Sequence, residues 1–518
     1  MSNLASLASI IKKENLLKYS TGEFSILKKK LKKNLFTEQN TSIYKYSLYS
    51  KGKLLYGIAK TGRDKYLFIA SREQFSVLYS GKIEKVEDIY IQKVSFSFEN
   101  AELLKKDFPF TAPISLREKK TTVGCGDRLG RCSAGHIRVA KKFDFYPVLA
   151  QQSIRELNFT KRTYKDVTSD VVFMVFQEGY EKGYGADGDH LKTLADINTA
   201  LDADMPMITL DLSEVMNPAA GDYASDKINA EFGKFSPTEQ ERIITSFADK
   251  SFELGDTKIT ITMNEAKKCA LMYTTALDFA KEVDTHLKNR RGSKYDLEIS
   301  IDETTYPTLP EHHLFIIKEL LYRGVTVNSL APRFIGEFQK AIDYIGNKQE
   351  FTKQYKIHCD IAKAHGDYKV SVHSGSDKFS VYPPIGKFTR LKLHLKTAGT
   401  SWLEAVRCVS VCNPGLYRKL HKKAFAYFAE ASKFYHITAD LSKIKDIDTI
   451  KDSYLPRYLI QNESRQLLHI TYGGLVNDGE IREDFFNTLT DHEEELYAIL
   501  EKHFTKHVSL LGIPKAKG

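Results

Sequence analysis

Gln177-Glu-Gly-Tyr-Glu-Lys-Gly-Tyr-Gly-Ala-Asp-Gly-Asp-His-Leu-Lys192 sets seven carboxylate, imidazole or amine groups among four glycines, directly after the apolar run Val171-Val-Phe-Met-Val-Phe176. Little in that mixture would help a core. Glycine lets the backbone approach a ligand or adopt positive φ without a Cβ clash, and Asp187, Asp189 and His190 are groups that bind metals or move protons. Read as a strand, Val171 to Phe176 would open into this loop at its C-terminal end, where barrel and open α/β enzymes place their chemistry. An α/β enzyme is the first expectation.

Working outward from that stretch, apolar strands alternate with longer helical segments from about residue 120. This alternation predicts βα units around a parallel sheet. Candidate strands are Thr121 to Cys125, Val171 to Phe176, Met207 to Leu212, Leu297 to Ile301, Val325 to Leu330, Tyr368 to His373, Leu391 to Leu395, Phe434 to Ala439 and Leu467 to Thr471. Polar residues recur at alternate positions near the ends of several of them, which favours a (β/α)8 TIM-type barrel over a doubly wound sheet, with one candidate an accessory strand. Helices are expected over Pro237 to Ser251, Asn264 to Leu287 and Glu311 to Arg323, the last stopped by Gly324. Residues 1–115 carry short Tyr, Phe, Ile and Val-rich runs and predict a small, mainly β module with nothing catalytic in it. The barrel is expected over 116–480, and 481–518 as a C-terminal helical segment packed on it.

Bulk properties narrow the class. At 518 residues and 42% hydrophobic content the chain has ample material for a large core. Met1 to Asn15 lacks the apolar stretch of a signal peptide and no window approaches a membrane span, so a cytoplasmic protein without a membrane partner is expected. The six cysteines form no C-x-x-C pair and read as reduced thiols. A net charge of +10 admits nucleic acid or an acidic small substrate. The densest basic run, Lys28-Lys-Lys-Leu-Lys-Lys33, is short and has no interleaved aromatics, so it reads as a solvated face rather than a nucleic-acid surface. A small-molecule substrate is expected, and a homo-oligomer is left open.

Period-two alternation singles out the polar faces. It aligns Glu298, Ser300 and Asp302, then Lys369, Ser371 and His373, then His394 and Lys396. A carboxylate inside a barrel is costly unless a metal, a base or a substrate offsets it. Imidazole and carboxylate together suit Zn, Mn, Ni, Co or Fe. Arg333, after another strand, is suited to clamp a carboxylate through its fork of donors. Gly183-Tyr-Gly-Ala-Asp-Gly188 matches G-x-G-x-x-G, but its aspartate and its distance from the apolar run disfavour NAD.

Six motifs in one order then identify a relative: Gly124-Cys-Gly-Asp-Arg-Leu-Gly130, Gln177-Glu-Gly-Tyr180, Gly185 to Thr193, Ser329-Leu-Ala-Pro-Arg-Phe334, His373 to Pro383 and His394 to Thr400. Together they resemble the tagaturonate epimerase family over about residues 120–475. The resemblance implies a divalent-metal enzyme interconverting D-tagaturonate and D-fructuronate in hexuronate breakdown. Relatives that act as 4-epimerases on neutral ketohexoses make that activity the alternative, with a metal-dependent sugar isomerase or a plain sugar-binding protein behind it.

The inverted carbon of that pair is β to the ketone, so enolisation does not acidify its C–H. A base that removes the hydroxyl proton there would instead trigger retro-aldol cleavage. The aldehyde would rotate and re-add on its other face, with the metal a Lewis acid at the ketone. On this reading His190 and His373 hold the metal with His394 as third ligand, and Asp189 and Glu298 form the acid/base pair. Lys192, Arg333, Lys378 and Lys396 meet the carboxylate and hydroxyls, and Gln339 supplies a neutral contact. Transient hydride transfer is the rival mechanism.

Overall fold

A computed structural model of the chain describes residues 4–30, 34–304, 306–374, 376–397 and 399–517. Leu31 to Lys33 of the basic run, Gly375 of the Ser374 to Lys378 loop and Ala398 before the Gly399 turn lie outside the described residues.

Eight parallel strands close into a barrel: β1 (Thr121–Gly124), β2 (Tyr146–Ser153), β3 (Gly185–Leu191), β4 (Met207–Asp211), β5 (Asp296–Ile301), β6 (Ser329–Pro332), β7 (Lys369–His373) and β8 (Leu393–Lys396). Closure comes from pairing of β8 with β1, Leu393 opposite Thr121 and Lys396 opposite Gly124. Helices run outside, among them Leu194–Asp202, Met263–Arg291, Pro310–Tyr322, Lys348–Ala364 and Thr400–Cys412. Gly324, at φ +71°, ends the Pro310–Tyr322 helix as expected.

Three candidate strands are something else. Val171 to Phe176 lies inside the helix Tyr164–Glu178, which opens on a Thr163/Asp166 capping box and stops at Gly179 in the left-handed region. Its apolar run has no polar face because the helix lies between two cores. Val171, Met174 and Val175 pack into the barrel cluster, while Val172, Phe173 and Phe176 join the aromatic cluster of the N-terminal sheet. Leu467 to Thr471 ends the buried helix Asn462–Ile470, and residues 435–439 form an irregular segment.

The strand that follows the apolar helix is the polar stretch itself. Asp187 and Asp189 face inward on β3, while Gly188 lets the Leu194–Asp202 helix approach: a Cβ there would meet Ala200 Cβ and Leu191 Cδ1 at 2.8 Å. β2, which carries Gln151 and Gln152, also supplies a barrel strand. The G-x-G-x-x-G match runs into β3 and not into a strand-to-helix turn.

Residues 35–94 form a seven-stranded antiparallel sheet, with helices Ala5–Lys13, Thr21–Lys30 and Phe98–Asp107 beside it. Lys28 departs from the solvated reading: its ammonium lies 3.9 Å from the Tyr49 ring centroid, and burial pushes its pKa down to about 7. At the other end of the chain the helix Glu493–Leu510 packs on Ser133–Ala140 and Thr400–Cys412. All six cysteines are free. Among the described residues no helix is long and apolar enough to cross a membrane.

Candidate active site

A cavity of about 300 Å³ opens at the C-terminal ends of the barrel strands. Its wall includes Asp189, His190, Asp302, Arg333, Gln339, His373 and Lys396, with Arg128, Arg155 and Lys340 as further cations. Strand alternation delivers Asp189, His373 and Lys396, because every second side chain points into the barrel and those at the strand ends meet the cavity, while Arg128, Arg155, Gln339 and Lys340 come from the segments between strands.

Three ligand-type side chains converge on this cavity. The donor atoms of His190, Asp302 and His373 lie within 4.8 Å of one another. His373 Nδ1 is 3.0 Å from Asp302 Oδ1, His190 Nε2 is 3.5 Å from the same oxygen, and the two imidazoles meet edge to face. His190 sits at φ +55°, a left-handed conformation in a strand that already carries a bulge, and this aims its ring across the mouth. The other nitrogen of each ring is held by a carboxylate: His190 Nδ1 by Asp189 at 2.9 Å and His373 Nε2 by Glu298 at 2.7 Å. Carboxylates placed behind histidines in this way orient the rings toward an ion.

Lys396 ties the floor together. Its Nζ lies 2.6 Å from Asp189, 3.0 Å from Asp187 and 3.0 Å from Glu298, and it also donates to Thr209. Burial is the largest influence on each of these groups, and it opposes charge. On Asp189 and Glu298 it is outweighed chiefly by Lys396, and on Asp302 by His373, so all three stay below the ordinary carboxylate range. Asp187, Asp189 and Glu298 hold Lys396 above the ordinary amine range, and Asp189 and Asp302 raise His190 and His373 respectively, again against burial. Asp187 goes the other way, to about 6, because burial together with Asp189 and Glu298 outweighs Lys396.

The other expected site residues are distributed unevenly. Glu298 is fully buried and sits beneath the cavity wall, bonded to His373, Lys396 and Ser329. His394 does not join the three-residue set. It lies two residues below Lys396 on β8, with Nδ1 2.9 Å from Thr122 Oγ1 and with no hydrogen-bond partner for Nε2 among the described residues. Asp302, which alternation had placed on the same face as Glu298, stands in the third position. Burial presses the His394 pKa down to about 3, so this ring is neutral.

Lys192 points away from the cavity, to Glu214 at 2.9 Å. Lys378 is buried below the wall, donating to the Gln339 carbonyl, the Ser374 carbonyl and Ser376 Oγ, and so holds two loops together. Arg333 reaches the cavity, and among the described residues its guanidinium has no hydrogen-bond or ion-pair partner. Gln339 reaches it too, but its Oε1 is taken by Thr438 and Gln466. That contact pins the irregular segment bearing Tyr435 and His436, with Phe434 just before it, beside the cavity.

The family model described as UxaE, tagaturonate epimerase, matches residues 44–511. The chain belongs to the tagaturonate epimerase family. Its relatives include the Thermotoga maritima protein named tagaturonate/fructuronate epimerase, 37% identical over 469 residues, which are 90% of this chain and 96% of that one. The crystal structure of the glycerol-complexed fructuronate-tagaturonate epimerase of Cohnella laeviribosi superposes with a TM-score of 0.87 at 38% identity, covering 95% of this chain and all of that one. The native crystal structure of the Cohnella protein gives 0.86 at the same identity. As a tagaturonate epimerase family member the chain is an enzyme of the epimerase class, built on a closed eight-stranded barrel.

Proposed function

We propose that this enzyme interconverts D-tagaturonate and D-fructuronate with a divalent ion held by His190, Asp302 and His373. The observation that carries the reading is this ligand set on the cavity wall beside Asp189 and Lys396, in a chain of this family. The donors fit such an ion. Two imidazoles and a carboxylate converge, each ring is backed by a second carboxylate, and three acids (Asp187, Asp189 and Glu298) share a single lysine while Asp302 faces the two imidazoles, a carboxylate-rich setting that suits a cation. When bound, the ion supplies Lewis acidity at the substrate ketone.

The chain's own residues then do the rest. Asp189, held ionised by Lys396, takes the proton of the hydroxyl on the carbon to be inverted. The bond between that carbon and its neighbour on the ketone side then breaks, giving an aldehyde and an enediolate. Rotation of the aldehyde presents its other face, the carbon–carbon bond re-forms, and the new alkoxide takes a proton from the Lys396 ammonium. The proton held by Asp189 returns to Lys396 across their 2.6 Å contact, so no net proton is consumed. Glu298 acts through His373 and Lys396, fixing both.

Turnover of D-tagaturonate deuterated at the inverted carbon, followed by NMR, tests the reading. Fructuronate that retains the deuteron, with no primary isotope effect, is expected; a primary effect would point to hydride transfer. Asp189→Asn should lower kcat by about 10²–10⁴-fold, the range of a lost proton-transfer group, while circular dichroism stays unchanged.

A further inference from the structure

We infer that Arg128 reads the substrate's carboxylate and makes the site specific for a uronate over a neutral ketose. This inference rests on the reading above and adds to it a residue that stands outside the charged strand ends.

Arg128 lies in the loop after β1, and the loop is fixed before the side chain is considered. Asp127 accepts from the backbone N–H groups of Leu129 and Ser133 at 3.1 Å, and from that of Cys132 as well, while Arg162 donates to the Asp127 carbonyl at 3.0 Å. The side chain itself is 5% exposed. It forms a buried ion pair from Nη2 to Glu156, and its guanidinium lies 4.2 Å from the Tyr472 ring centroid. Held on two sides, it still forms part of the cavity wall.

Its hydrogen bonding is incomplete. A guanidinium carries five N–H donors, and Glu156 takes one through Nη2. Among the described residues Nε and Nη1 have no partner. Whichever Nη2 hydrogen Glu156 accepts, one two-pronged edge of the guanidinium remains whole. That edge is the shape that binds a carboxylate through two parallel bonds. A buried cation left this far unpaired is costly, and a site so built discriminates against a ligand that cannot pair it.

Substrate chemistry places the carboxylate on this side. In a hexuronate the carboxylate lies beyond the inverted carbon, at the opposite end from the ketone. The ketone end belongs with His190, Asp302 and His373 around β3, β5 and β7, whereas Arg128 and Glu156 follow β1 and β2. Of the other cavity cations, Lys396 is as buried but is already paired with Asp187, Asp189 and Glu298, the Arg155 side chain is 43% exposed, and Arg333 and Lys340 are partly exposed. Arg128 is held in place with donors still unpaired before the ligand arrives, so it loses little on binding.

The test compares wild type, Arg128→Gln and Arg128→Lys, each saturated with metal, on D-tagaturonate and on D-tagatose, which has a hydroxymethyl group in place of the carboxylate. If D-tagatose is not turned over, it is measured as a competitive inhibitor. Arg128→Gln should lose about a hundredfold in kcat/KM on tagaturonate, mostly through KM, and at least tenfold less on tagatose. Arg128→Lys, which keeps a charge but not the fork, should show the same bias at about tenfold and carries the test if the glutamine variant does not fold. Equal losses on both sugars, or a loss confined to kcat, would assign Arg128 a structural role and overturn the inference. A wild type inactive on tagaturonate would instead overturn the functional reading.

Discussion

At the scale of single residues the site turns on Lys396, among the described residues the one ammonium touching Asp187, Asp189 and Glu298 inside the barrel. Removing one partner of a buried ion group leaves uncompensated charge. Lys396→Met is therefore expected to cost about 3–5 kcal/mol of stability, read from urea unfolding at neutral pH, as well as activity. A loss under about 1 kcal/mol would show that the carboxylates are not held by this lysine. Alternation alone made much of this legible: Glu298, His373, His394 and Lys396 all point inward as the period required. The depth of each residue was not legible. His394 and Lys396 are two residues apart on one strand, yet one meets Thr122 in the interior and the other meets the cavity. Asp302 was legible as a member of the polar face, but its convergence with His190 depends on the left-handed turn at His190. Arg128 carried no strand-alternation signal, because its place depends on Glu156 and Tyr472, far apart in sequence.

At the scale of elements, the helix Tyr164–Glu178 shows why hydrophobic runs mislead. Six consecutive apolar residues read as a buried strand, but the capping box before them and Gly179 after them mark a helix apolar on all sides, since the N-terminal sheet covers the face that solvent would otherwise wet. Phe173 stacks on Phe96 with centroids 4.0 Å apart. Phe173→Ala should cost about 3–5 kcal/mol, the usual figure for emptying a buried phenylalanine site, measured by denaturant unfolding. A surface-like change of under about 0.5 kcal/mol would contradict the packing. The converse error befell β3, whose glycines and aspartates look like a loop. A strand lining a charged interior carries polar residues inward, and Gly188 faces a close helix, so neither face supplies the apolar alternation by which strands are recognised.

At the scale of the whole molecule, the first and last parts of the chain are tied by charge. Glu493, at the start of the last helix, bonds Lys65 at 2.7 Å, lies 3.5 Å from Lys60 and accepts from Tyr44, all on the N-terminal sheet. Burial would raise its pKa, but Lys65 and Lys60 bring it down to about 2 from an ordinary 4.5. A depressed carboxylate stabilises the fold above its unfolded pKa, and that contribution fades as pH falls from 4.5 toward 2. His358 acts earlier. Burial lowers its pKa to about 4 from 6.5, so the unfolded chain takes up a proton first and stability declines between those values. Unfolding midpoints measured against pH should fall in both windows, and Glu493→Gln should flatten only the lower one. An unchanged slope there would show that this tie contributes nothing.

The central claim is that the cluster at the barrel mouth epimerises a hexuronate with the help of a divalent ion. Its most direct test is to strip the protein with a chelator, incubate it with D-tagaturonate, and follow the sugar acids by NMR before and after Mn, Ni, Co or Zn is restored. Fructuronate that forms only after restoration, and does not form with His373→Asn, is the expected result. Fructuronate formed at the same rate by the stripped protein, or by the His373 variant, would contradict it.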